Sequence, residues 1–392
     1  MNKLLQQEIE DFKNELVEIR RKFHQIPELG FEEYETSALI NDYLKNWGIE
    51  TKRNVGETGV TALIKGKGEG KTIAIRADID ALPIEEKTDL GFASKNKGKM
   101  HACGHDSHIT IALGTAKVLS KYKDRLNGNI KFIFQPAEEI LSGAKAMIED
   151  GVLKDPEVDA IIGLHNWPEL NSGEIGIKTG SIMAAADKFE VVIKGVGGHG
   201  ALPHKTVDPI VVSAEIINAL QRIISREIDP QETAVISIGT LNSGTAFNII
   251  PDELKFSGTV RTFDDNIRKY IARRMEEIIS AACQGAGCDF DFDYHFGIPA
   301  TVNDEKFTQR VIKVLREKLR DTKIVEPVTP SMGGEDFSLF LNKVPGTYFF
   351  LGTGNEEKGI IHSIHHPKYI IDEDILPIGV KAFSEIVLNY LS

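Results

Sequence analysis

The stretch Asp159-Ala160-Ile161-Ile162-Gly163-Leu164-His165 decides the fold. Its nearly continuous apolar run is that of a strand buried on both faces of a sheet, the habit of parallel strands covered by helices. It delivers a histidine at its C-terminal end. In open α/β sheets ligands bind just beyond the carboxyl ends of the strands, so His165 is a candidate donor, although a satisfied core histidine fits the same pattern.

Working outward, the same grammar recurs. Residues 129–134 read as a strand, Gln135-Pro136-Ala137 breaks it, and Glu138 and Glu139 open a helical stretch. Adjacent side chains diverge, so one glutamate can hold a metal while the other faces a cleft; the alternative is a solvated helix start. Residues 60–65 and 72–77 are strand-like, and the second run leads into Asp78-Ile79-Asp80, two carboxylates facing the same way. Donors are densest at His101-Ala102-Cys103-Gly104-His105-Asp106-Ser107-His108. Cys103 and His105 stand two apart across a glycine and can reach one ion from an extended backbone. Ile109, Leu113, Ala116 and Leu119 then recur at helical spacing, placing the cluster at a helix N-terminus, which favours a thiolate. Read alone, Cys103 is also compatible with a small buried hydrophobe. Near the C-terminus, one of His362, His365 and His366 suits a further donor. Amphipathic helices are expected at 4–25 and 33–46, with His24 facing a helix C-terminus rather than a metal.

From residue 183 the pattern changes to β-α-β-β-α-β: strands at 188–194, 233–241, 253–262 and 289–295, helices at 207–228 and 266–284. That is the order of a ferredoxin-like unit with an antiparallel sheet. The chain therefore reads as a first domain over 1–182 and 297–392 interrupted by an insert at 183–296. A helix at 304–319, a strand at 347–351 and a helix at 375–391 return it to the first domain. Within the insert, a glycine-rich turn presents His199, Asn248 precedes an apolar pair, and Arg261 lies near a strand end. The turn lacks the lysine and Ser/Thr of a phosphate loop. Each of the three is also readable as a turn residue or surface charge.

A length of 392 residues suits about two domains. The net charge of -12 offers no basic block for phosphates, which argues against nucleic-acid binding. Three cysteines, Cys103, Cys283 and Cys288, are too few and too odd for a disulfide framework. With no signal-like N-terminal stretch and no apolar run long enough for a bilayer, the expectation is a cytoplasmic protein without a membrane partner.

With these motifs assembled, the sequence resembles the two-metal amidohydrolases of the aminoacylase and zinc-carboxypeptidase group. The nearest branch is that of N-acyl-amino-acid amidohydrolases, hippurate hydrolases and auxin-amino-acid conjugate hydrolases. The likeness runs through R-A-D-I-D-A-L-P-I from Arg76, M-H-A-C-G-H-D from Met100, Q-P-A-E-E from Gln135, G-L-H from Gly163, G-G-H-G-A-L-P-H from Gly197, F-N-I-I-P-D from Phe247, G-G-E-D-F from Gly333 and H-H-P-K-Y from His365. It implies an α/β catalytic domain of the two-metal exopeptidase type with an inserted ferredoxin-like α+β lid and dimerisation domain. It implies that Cys103, His105, Glu139, His165 and His365 hold two divalent ions, His365 because the family's last ligand lies two residues before the proline. Glu138 becomes the general acid/base, Asp80 the carboxylate that orients a ligand, and His199 a catalytic residue. Asn248 and Arg261 match substrate contacts, and in dimeric relatives His199 and Asn248 can serve the neighbouring subunit. The sequence departs from the carboxypeptidase members, which carry a histidine ligand where Asp78 stands and a bridging aspartate where Cys103 stands, so the thiolate is the expected bridge. Thiolate and imidazole favour zinc, while manganese, cobalt or nickel accompany close relatives. The implied reaction is amide hydrolysis of an N-acyl amino acid. The same scaffold also supports a dipeptidase, a carboxypeptidase or an N-acetyl-diaminopimelate deacetylase; a non-catalytic metal binder and a thiol hydrolase built on Cys103 are the farther alternatives.

Overall fold

The computed structural model describes residues 2–68 and 70–392. The chain divides into two compact units, one of Met1–Ile182, Val302–Thr329 and Asp336–Ser392, the other of Met183–Thr301 and Pro330–Glu335.

The first unit is built on an eight-stranded sheet. Its centre is four parallel strands in the order Gly128–Gln135, Lys71–Asp78, Ala160–Asn171 and Gly346–Gly354. Apolar residues on both faces are buried, Ile75, Ile162 and Phe349 on one and Ala74, Ile161 and Phe350 on the other, as the continuous apolar runs require. Antiparallel strands Gly59–Lys65 and Glu50–Val55 extend one side. Glu50–Val55 escapes sequence reading because it is mostly exposed and carries no apolar alternation. Helices Asn2–His24, His105–Ser120, Glu305–Lys318 and Leu376–Tyr390 contribute to the core of this unit. The helix His105–Ser120 is buried nearly all round, so its apolar positions are not confined to one stripe. The arrangement brings Asp78 and Gln135 to the carboxyl ends of two neighbouring strands, whereas His165 lies midway along Ala160–Asn171, just past that strand's last pairing with Lys71–Asp78 at Gly163, rather than at the strand end its apolar run suggests.

The second unit is a four-stranded antiparallel sheet, in the order Ala234–Ser243, Glu253–Thr262, Ala185–Lys194 and Asp289–Ile298. Helices Pro209–Arg222 and Asp265–Ala286 pack on it, giving the ferredoxin-like order. Both helices start at aspartate caps: Asp208 accepts from the Ile210 N–H, and Asp264 from those of Asn266 and Ile267. The first helix is shorter than its periodicity suggests, continuing as a wider π turn over Ile223–Glu227. Among the described residues no helix is long and apolar enough to cross a membrane.

Candidate metal centre

The donor cluster is shaped by Gly104. It adopts φ 83°, and a Cβ there would lie 2.3 Å from the Asn166 side-chain nitrogen Nδ2, so glycine suits the position. Cys103 therefore sits in a turn and His105 is the first residue of the helix His105–Ser120, which differs from the extended backbone expected for the pair. They converge because the left-handed glycine turns the chain between them.

Cys103 Sγ is 3.4 Å from His165 Nε2. The other nitrogen of His165, Nδ1, faces the Asn166 carbonyl at 2.6 Å, so its N–H donates there and Nε2 keeps its lone pair toward the thiol. His105 Nδ1 likewise donates to the Asp80 carbonyl at 3.0 Å, with Asp80 Oδ1 at 3.3 Å. Its Nε2 is 3.9 Å from Glu139 Oε1, and Glu139 Oε2 is 3.5 Å from His365 Nε2. The donor atoms of Cys103, His105 and His165 lie within 4.8 Å of one another, and so do those of Cys103, Glu139 and His365. Five donors thus form two groups with the thiol common to both. His365 reaches its place from a left-handed backbone, φ 65°, pinned by its N–H donating to the Ala102 carbonyl at 2.8 Å.

Two observations test whether this donor set fits metal ions. His105 Nε2 and Glu139 Oε1 are buried without a hydrogen-bond partner, a condition that costs about 1–3 kcal/mol for each group unless something satisfies it. The pocket is also strongly anionic. Burial, then Glu139, Glu138 and Asp78, push the Cys103 thiol well above its usual range. Burial acts against protonation of His105, but Asp78, Asp80 and Glu139 outweigh it and raise it to about 10. His165, buried beside His108, falls to about 3 and offers a neutral lone pair. Divalent cations invert this balance by taking the protons' place. The residues fit the ions.

Asp80 reaches beyond His105, since its Oδ2 also accepts the Glu139 N–H at 2.9 Å. Glu138 and Glu139 do not open a helix. They lie in an irregular loop between Ala137 and Leu141, both at positive φ, and the helix begins at Gly143. Pro136 at the strand end and the two left-handed residues prevent the helical register that the charges alone suggested.

Sequence reading missed the support beneath the site. Arg76, fully buried in a central strand, donates to Asp78 at 2.7 Å, Gln135 Oε1 at 2.8 Å and Asp336 Oδ1 at 3.1 Å. The signal was available: an arginine inside an apolar strand requires buried partners. Asp78 holds His108 Nδ1, and His108 Nε2 accepts the Asn166 N–H at 3.0 Å, so both nitrogens of His108 are occupied within the protein. His24 is the last residue of the helix Asn2–His24, as expected, but its side chain is buried. It lies between Asp106, 2.8 Å from Nδ1, and Glu86, 3.2 Å from Nε2.

The insert residues lie in the second unit. His199 is exposed on a two-residue strand paired with Ile249, and Asn248 is exposed beside it, its carbonyl accepting the Gly200 N–H at 2.9 Å. Arg261 is half-buried and donates to the Thr259 hydroxyl and the Val260 carbonyl. Among the described residues it has no carboxylate in ion-pair contact, because Asp187 is taken by Arg268.

The model of peptidase family M20/M25/M40 matches residues 74–389. The chain belongs to this family. It is 45% identical to thermostable carboxypeptidase 1 of Saccharolobus solfataricus, with 98% of each chain covered. It is also 45% identical to N-acetyl-L-cysteine deacetylase of Bacillus subtilis, over 92% of this chain and 84% of that one. Its fold matches the crystal structure of a dinuclear metal-binding M20 peptidase from Bacillus subtilis, at TM-score 0.86 and 39% identity, covering 97% of this chain and 99% of the other. As an M20 protein it is a metal-dependent hydrolase, and its clustered donors fit a pair of divalent ions.

The protonation states make an M20 centre of this composition steeply pH-dependent. The metal-free site holds protons on Cys103 and His105 that an ion must displace, so affinity falls as pH falls through the range below about 10 set by His105. Calorimetric titration of the metal-free protein with zinc at pH 6, 7 and 8 is expected to show proton release and roughly tenfold or greater tightening per pH unit. A flat profile would contradict the assignment of these two residues.

Proposed function

We propose that the protein hydrolyses the amide bond of N-acyl amino acids, with Glu138 as general base and acid. The observation that carries this reading is the position of Glu138: buried, with a carboxylate oxygen within 4.8 Å of the donor atoms of His105 and Glu139. In this reading Cys103, His105, Glu139, His165 and His365 would hold two ions, Cys103 belonging to both donor groups. The ions supply Lewis acidity that polarises the scissile carbonyl and acidifies water. Glu138 takes a proton from the attacking water and returns it to the departing amine. Asp80 keeps His105 turned so that Nε2 points into the centre. Arg261, half-buried without a carboxylate of its own, suits the α-carboxylate of the amino-acid half, and His199 and Asn248 are assigned to the acyl carbonyl and to substrate contact.

The deacetylase relative supports an acyl-amino-acid substrate, while the equally similar carboxypeptidase supports a second reading, a short peptide with a free C-terminus. Both substrates end in an α-carboxylate and differ on the acyl side. Zinc or manganese is the proposed metal, with cobalt and nickel as alternatives. The test is elemental analysis and turnover in one preparation, with N-acetyl-methionine, hippurate and N-acetyl-cysteine set against dipeptides and blocked peptides. Faster cleavage of the acyl amino acids and loss of activity on chelation are expected; activity that survives chelation would sink the metal mechanism.

A homodimer formed through the second unit is also proposed. Its edge strand Ala234–Ser243 contains no charge or proline in ten residues, whereas the opposite edge carries Asp289, Asp291 and Asp293, which discourage pairing. Sedimentation of the same preparation checks this. The three free thiols agree with a proposed cytoplasmic location, to be checked by cell fractionation.

A further inference from the structure

Glu33 stands immediately before the helix Tyr34–Asn46, where a side chain normally caps its own helix, yet it makes no capping bond. That work is done by Glu28, whose carboxylate accepts the N–H groups of Glu35 at 3.1 Å and Thr36 at 2.8 Å. The Glu33 carboxylate instead turns inward. Its Oε1 accepts the Ala137 N–H at 2.8 Å, across 104 residues of sequence, and its Oε2 accepts the Thr58 hydroxyl. It is completely buried, and burial raises it to about 7 against the Thr58 bond, with Asp80 adding to the rise. A carboxyl group held at such cost for a helix it does not cap needs another reason to be there.

The reason lies at Ala137. This residue is left-handed, φ 52°, a conformation that a non-glycine residue adopts only at a steric cost. It is followed directly by Glu138 and Glu139. The turn is held by two carboxylates bonded to its backbone, Glu33 to the Ala137 N–H and Asp80 to the Glu139 N–H, while Asp336 accepts the Ala144 N–H at 3.0 Å in the first turn of the helix that follows. Gly30 closes over the same point, since a Cβ there would meet Ala137 Cα at 3.0 Å and Cβ at 3.1 Å. The direction in which Glu138 and Glu139 leave the chain is set by this turn.

We propose that Glu33 is a positioning residue for the centre, aiming Glu138 and Glu139 by fixing the left-handed turn at Ala137. The inference rests on the reading of Glu138 as base and Glu139 as ligand. Glu33→Ala is expected to lower kcat on N-acyl amino acids about 10- to 100-fold with KM within about twofold, and to weaken zinc binding to the metal-free protein about tenfold or more. Glu33→Gln keeps an oxygen for the Ala137 N–H and is expected to recover kcat and metal affinity to within about threefold of the parent. Gly30→Ala presses on Ala137 without touching the carboxyl group and should reproduce the Glu33→Ala losses. Glu28→Ala, which uncaps the same helix, should lower the melting temperature while leaving kcat and metal affinity unchanged.

A folded Glu33→Ala protein with parental kcat and zinc affinity, whatever its melting temperature, overturns the proposal. Should Glu33→Ala not fold, Gly30→Ala decides, and parental values there overturn it equally. If the parent turns over no acyl amino acid, the functional reading fails on its own. Zinc affinity in the Glu33 and Gly30 variants still tests the positioning role.

Discussion

Replacing Glu138 by glutamine is expected to lower turnover of N-acyl amino acids by about 10²- to 10⁴-fold while two metal equivalents remain bound, the range that a positioned proton-transfer group contributes. The side chain keeps its size and its place beside His105 and Glu139 but can no longer accept a proton from water. Metal content separates this outcome from a collapsed site. In the reading proposed here Cys103, His105, Glu139, His165 and His365 are the donors; Glu138 lies close enough to His105 and Glu139 to join them, so metal content tells base from ligand. Kinetics and elemental analysis on the same sample give the readout. Unaltered turnover with full metal would remove Glu138 from the mechanism, and a combined loss of metal and rate would make it a ligand.

The second large effect is structural. Arg76→Met is expected to destabilise the protein by about 3–5 kcal/mol, measured by urea unfolding of the metal-free form. Arg76 is 1% exposed and its guanidinium joins Asp78 and Asp336, both fully buried. Without it two carboxylates stay in the interior with one fewer cation. Burial opposes ionisation of Asp78, yet His105, His108 and Arg76 together hold it well below the usual carboxylate range, so its charge depends on these neighbours. The damage should spread to the centre, because Asp78 orients His108, which in turn accepts the backbone N–H next to His165. A loss below about 1 kcal/mol, the scale of an exposed ion pair, would show that the network contributes little.

The donors were legible because each sits at a local landmark. His165 follows an apolar run, Cys103 and His105 flank a glycine before a helical repeat, and Glu139 follows a proline that ends a strand. Among the three histidines only the family resemblance points to His365, and its left-handed backbone carries no sequence signature. The helix expected at Glu138 failed for a related reason: two acidic residues suit a helix start, but the left-handed Ala137 and Leu141 are imposed by contacts from distant segments. Glu33 was invisible in the sequence, since a glutamate at a helix start reads as a cap or a solvated charge.

The sequence by itself determined the parallel-strand core, the ferredoxin-like insert and the residue types of the centre. Period-two and period-3.6 burial and the chemistry of thiol, imidazole and carboxylate are local properties. Only the tertiary structure decided that Cys103 is common to two donor groups, that Arg76 meets Asp336 across 260 residues, and that Glu33 grips the turn before Glu138. Such contacts depend on how strands and loops close on one another over long separations, and no pattern within a window of a few residues encodes which partners then meet.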